Sequence, residues 1–126
     1  MRRVSAWPGP PRRMPTTAKD RYVIVLVTCG SRKEASHIAR VLVKKRAAAC
    51  VNILTAPVDS VYRWKGKVDK AREFLLLIKS SRRRLAALRA EVERLHSYDV
   101  PEFIAIPVAA ASPCYLAWLA DSLRAG

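Results

Sequence analysis

The sequence predicts an α+β domain of the ferredoxin-like, split βαβ kind, with a long central hairpin and a C-terminal helix. Two apolar runs, residues 22–28 and 74–78, read as strands, and each is followed by a helical pattern opened by a serine. Between them lies a segment that turns back on itself at Gly66. The chain has 126 residues, enough for one core and too few for two.

The first strand, 22–28, is β-branched or apolar at nearly every position, the pattern of a strand covered on both faces. Cys29 and Gly30 break it. Ser31 and Glu34 then have capping-box spacing: a hydroxyl for one free amide and a carboxylate that can reach back. Ala35, Ile38, Ala39, Leu42 and Val43 share one helical face, and Lys44, Lys45 and Arg46 suit the last turn, so the first helix is expected over 32–47. Residues 50–54 form a second strand. A third runs over 58–64, with Tyr62 and Trp64 on one face, and its hairpin partner is expected over 71–79. Ser80 or Ser81 caps a second helix with the stripe Leu85, Leu88, Val92 and Leu95. A last strand spans 103–108, with Pro107 marking an edge or a bulge, and Pro113 opens a short helix that runs to about Leu123.

This order places both crossover helices on one sheet face. The opposite face is also apolar, because the strands at 23–27 and 74–78 are apolar throughout. A monomer exposes patches of only a few hundred Å², so a second copy of the chain is the simplest cover.

Composition excludes several classes. Apolar residues make up 51%, too many for a disordered chain. The longest apolar run is seven residues, 114–120, against the ~20 of a spanning helix, so no membrane association is expected. Cys29, Cys50 and Cys114 cannot all pair within one chain and none forms a C-x-x-C motif. Neither a disulfide scaffold nor a closed cysteine zinc site is expected, and a reducing, cytoplasmic setting is. Cys50 and Cys114 read as core. Residues 1–21 hold half of the eight prolines and a net charge of +5, and are expected to be a disordered basic tail preceding a domain over 22–126.

Four motifs carry a family resemblance: residues 49–53 (Ala-Cys-Val-Asn-Ile), 62–67 (Tyr-Arg-Trp-Lys-Gly-Lys), 95–102 (Leu-His-Ser-Tyr-Asp-Val-Pro-Glu) and 115–119 (Tyr-Leu-Ala-Trp-Leu). Together, in this order, they resemble the CutA divalent-cation tolerance family over roughly residues 22–123. The resemblance implies a ferredoxin-like protomer in a compact homotrimer, similar in architecture to PII signalling trimers, whose ligands sit between subunits. It also implies a non-enzymatic part in the response to metal ions, with Cu²⁺ or another divalent cation as the ligand. The family's copper donors are a Cys near the end of the first strand and a His-His pair before the Tyr-x-x-Pro-Glu motif. Here the first falls near Val27, with Cys29 two places on, and the first His position holds Leu95, so only His96 remains of the pair and the carried-over site is incomplete. The metal candidates are therefore His96 and Cys29, both soft to borderline donors. The competing reading makes Cys29 a small buried hydrophobe and His96 a helix-end imidazole.

A second candidate set is Tyr62, Trp64, Lys79, Tyr98 and Glu102. Charged groups near aromatics at strand ends suit an intersubunit cleft for a small anion; the alternative pairs Lys79 with Glu102 and leaves the aromatics to trimer contacts. No nucleophile–base pair, P-loop or G-x-G-x-x-G is present. The net charge of +14 leaves one other class, a basic ferredoxin-like domain that binds nucleic acid non-specifically. Sequence-specific RNA readers of this fold expose aromatics on the first and third sheet strands, whereas the first strand here is Val-Ile-Val-Leu-Val and Phe74 is the lone aromatic of 74–78. No specific nucleic-acid partner is expected.

Overall fold

A computed structural model describes residues 21–124. The expected tail lies outside the described residues except for Arg21, whose carbonyl accepts from the Arg82 N–H at 2.9 Å. The chain runs β1 (Tyr22–Cys29), α1 (Arg32–Lys44), β2 (Cys50–Ile53), β3 (Val58–Trp64), β4 (Lys67–Ser81), α2 (Leu85–Leu95), β5 (Ile104–Pro107) and α3 (Pro113–Leu123). The antiparallel sheet has the order β2-β4-β1-β5, with β3 paired to the N-terminal half of β4. This is the expected split βαβ arrangement.

One sheet face carries Val23, Val25, Val27, Cys29, Leu76 and Ile78. They pack against Ala35, Ile38 and Leu42 of α1 and Leu88 and Val92 of α2. Period 2 on the strands meets period 3.6 on the helices, and both crossover helices lie on this face as expected. The other face carries Ile24, Leu26, Leu75 and Leu77, half-buried, with Ile104 and Ile106 of β5 at 52% and 45% exposure. The C-terminal helix covers one end of the molecule through Leu116, Leu119 and Leu123 against Tyr22 and Ala49.

Several boundaries differ from the sequence reading. The Ser31 hydroxyl accepts from the Glu34 N–H at 3.1 Å, as expected of a cap. The Glu34 carboxylate instead accepts from the Ser97 N–H at 2.7 Å. The first helix stops at Lys44, short of 47, because Arg46 turns to φ 60 and the Ala47 N–H returns to the Leu42 carbonyl. The fourth strand begins at Lys67 rather than 71. Its first residues are charged or exposed and carry no apolar alternation, yet they pair from Trp64↔Lys67 to Val58↔Glu73. Lys65 and Gly66, both at positive φ, make the two-residue turn whose twist suits a hairpin. Ser81 accepts from the Arg84 N–H, but the first turn, Arg82–Arg84, is a 3-10 turn and α2 proper starts at Leu85. The last strand is four residues, shorter than 103–108, with Pro107 on the edge of the sheet.

Two cysteine assignments are corrected. Cys50 is half-buried and Cys114 is exposed. Cys114 lies off the 116/119/123 stripe by which α3 packs, so it faces outward.

Candidate functional site

The chemistry-bearing residues gather where β1 ends, β4 passes from the hairpin into the sheet, and the loop after α2 returns. Cys29 closes β1 on the helix-covered face, and burial, with Glu34 and Glu73 nearby, pushes its thiol up to about 12. His96 caps α2 and is 8% exposed. Its Nε2 lies 2.7 Å from the Thr28 carbonyl and its Nδ1 is 3.0 Å from the Tyr98 N–H. A carbonyl can only accept and an N–H can only donate, so Nε2 carries the proton and Nδ1 the lone pair. Both ring nitrogens are thereby used.

Cys29, Glu34 and His96 present ligand-type atoms within 4.8 Å of one another. The trio joins the two expected metal candidates to a carboxylate that the sequence reading did not include. In this arrangement an incoming ion would have to displace hydrogen bonds and a proton. The imidazole lone pair accepts from the Tyr98 N–H, Glu34 accepts from the Ser97 N–H, and burial raises the thiol's pKa. Without an ion, His96 and Glu34 form a hydrogen-bonded knot beside Cys29 that fixes the loop to the sheet.

Beside this knot lies a cleft of about 810 Å³. Tyr62 and Trp64 of β3 form one wall, and Tyr98 and Glu102 of the loop form the other, four of the five expected cleft residues brought together. Tyr98 donates its hydroxyl to Glu73 Oε2 at 2.9 Å, and its ring stands 4.6 Å from that of His96. Burial and the Glu73 carboxylate raise the Tyr98 phenol above its ordinary range. Gly30 makes room for this ring: a Cβ there would sit 3.2 Å from the Tyr98 hydroxyl. Burial, and then Glu73, raise the Glu102 carboxyl above the usual carboxylate range.

Lys79 is not in the cleft. It stands opposite Ile24 and Cys50 at the other end of β4, six residues from Glu73, about 20 Å along a strand. Its ammonium donates to the Asn52 side-chain oxygen, and it does not pair with Glu102. The charged groups lining the cleft are instead Glu73, Asp99 and Glu102. This protomer's part of the lining is acidic, which favours a cation over the small anion expected. Glu73, 7% exposed, was legible in principle. It shares the side-chain parity of Leu75 and Leu77, and an acid directly beside that apolar pair is a signal.

Fold and cleft together define a class: a split βαβ sandwich whose strand ends and hairpin frame an aromatic cleft with acidic side chains. Similarity to known proteins narrows the class. The family model described as CutA1 divalent ion tolerance protein matches residues 23–122, and the chain belongs to that family. It is 42% identical over 99 residues to the divalent-cation tolerance protein CutA of Thermus thermophilus, covering 79% of this chain and 95% of that one. It is 40% identical over 116 residues to protein CutA of Mus musculus, covering 88% of this chain but only 65% of the mouse protein. Among solved structures, CutA1 from Oryza sativa superposes with a TM-score of 0.81 at 38% identity, covering 89% of this chain and all of that one. The periplasmic divalent cation tolerance protein CutA from Archaeoglobus fulgidus gives 0.79 at 35% identity, covering 82% of this chain and 99% of that one. Among the described residues no helix is long and apolar enough to cross a membrane.

Proposed function

We propose that this protein is a non-enzymatic homotrimer that takes part in the response to divalent cations and holds its ligand, a cation, in the cleft between β3 and the loop after α2. The observation that carries the reading is the sign of the lining. In a chain of net charge +14, the charged side chains around this cleft are Glu73, Asp99 and Glu102. Tyr62, Trp64 and Tyr98 add aromatic faces, which also attract cations. Oxygen donors of this kind suit a hard or borderline divalent ion. The trimer is supported by the apolar sheet face around Ile104 and Ile106 and by the relatives' shared fold. In the trimer a neighbouring copy closes the open side of the cleft. A reducing, cytoplasmic setting accords with three unpaired cysteines.

A second locus is favoured by the 4.8 Å grouping of Cys29, Glu34 and His96. Copper held by His96 and Cys29 requires the Tyr98 N–H to leave Nδ1 and the thiol to lose its proton, so it would show a steep pH dependence.

Calorimetric titration of Cu²⁺ and Mn²⁺ into the full chain distinguishes the loci, with native mass spectrometry counting ions per oligomer. The cleft reading expects Glu73→Gln and Glu102→Gln each to weaken binding about tenfold, the worth of ~1.4 kcal/mol, while Cys29→Ser leaves it unchanged. Binding lost only in Cys29→Ser and His96→Ala would move the site to the knot. A folded monomer at micromolar concentration would reject the trimer.

A further inference from the structure

A second cavity opens at the other end of β1 and β4, and its charge is opposite to that of the cleft. It has a volume of about 520 Å³ and is lined by Arg21, Arg82, Arg83, Arg84 and Arg124, with no carboxylate in the lining among the described residues. It shares no residue with the cleft, because Tyr22 and Ser81 stand at its edge while Thr28 and Glu73 stand at the other. We infer that this pocket binds a compact oligophosphate group.

The arginines come from three separate parts of the chain: the residue before β1, the turn before α2, and the residue after α3. The fold, and not local sequence alone, draws them together. The Arg82 N–H donates to the Arg21 carbonyl at 2.9 Å, and the Ser81 hydroxyl accepts from the Arg84 N–H at 3.2 Å. The Arg84 guanidinium donates to the Leu123 carbonyl at 2.6 Å, which holds the fork in place and ties α3 to the rim. Arg124 donates to Asp121 at 3.2 Å, outside the lining. Five arginines around one concavity favour an anion of several charges, and a planar guanidinium fork matches phosphate oxygens two at a time. The five arginines line one cavity, a grouping that suits several phosphates on one small group better than the regularly spaced backbone of a duplex.

The test is calorimetric titration of inorganic tripolyphosphate into the full chain at about 150 mM salt, where long-range attraction is screened beyond ~8 Å. Two variants of equal net charge are compared: R21Q/R83Q/R124Q in the pocket, and K33Q/R40Q/K67Q on α1 and the hairpin. The proposal expects the wild type and the second variant to bind alike and the pocket variant to bind about tenfold or more weakly. Orthophosphate, with fewer oxygens, binds less tightly. Equal weakening in both variants would reduce the effect to general charge and overturn the site, as would no binding to the wild type. A duplex of about 20 base pairs that binds more tightly than tripolyphosphate through the same arginines would assign the pocket to nucleic acid and overturn it too. No cleft residue is altered, so either outcome leaves the cation reading standing.

Discussion

The Tyr98 hydroxyl donates to Glu73 at 2.9 Å and so joins the loop after α2 to the point where β4 leaves the hairpin for the sheet. Glu73 is a nearly buried carboxylate, and this donor is what makes its burial tolerable. Tyr98→Phe is expected to destabilise the protein by ~1.5–3 kcal/mol, the range for a hydrogen bond to a charged group. Urea denaturation at fixed protein concentration measures it. Restoration of most of the loss in a Tyr98→Phe/Glu73→Gln double variant would show that the cost is the stranded charge. No restoration would place it in packing.

His96→Ala leaves the buried Thr28 carbonyl and the part-buried Tyr98 N–H without the partner each has in the imidazole. The expected loss is ~2–4 kcal/mol, from two orphaned groups plus a small cavity. Nitrogen NMR of the wild-type imidazole should show Nε2 protonated and Nδ1 bare. The reverse tautomer would contradict the hydrogen-bond assignment.

Glu102 supplies a pH prediction. Burial and Glu73 raise its folded-state pKa above the unfolded value. The stabilisation associated with this group is thus full below the unfolded pKa of ~4.3 and is lost as pH rises through the folded pKa. At pH 7 the charged carboxylate is a burden, so Glu102→Gln should raise Tm by about 2 °C, within the range that small stability changes produce. The gain should vanish near pH 4. A gain that persists unchanged at low pH would mean that charge is not its origin.

The exposed pair Ile104 and Ile106 lies on the sheet face that the helices leave uncovered. Ile104→Lys/Ile106→Lys places two charges where an obligate interface would bury well over ~1,000 Å² per interface. Sedimentation should show dissociation at micromolar concentration. An intact trimer would move the interface elsewhere.

Alternation and capping already determine much of this molecule. The apolar positions of β1, the 35/38/42 face of α1 and the 88/92 stripe of α2 are periodic, and periodicity is a local property that burial then satisfies. Four cleft residues were legible because Tyr62, Trp64, Tyr98 and Glu102 fall in short, dense motifs. Their grouping needed the tertiary structure. Lys79 and Glu73 lie on the same strand with side chains of the same parity, and only the register of β4 shows that one reaches the cleft and the other lies about 20 Å away. The use of Glu34 was likewise undecided by spacing. A capping box and a contact to the Ser97 amide compete for one carboxylate, and the contact, 63 residues distant in sequence, prevails. Long-range pairing of this kind depends on where two elements meet, which residue types and intervals do not specify. The sequence by itself determines the elements and the polar side chains available to a site; the sign and contents of each cavity are decided only when the sheet brings its strand ends together.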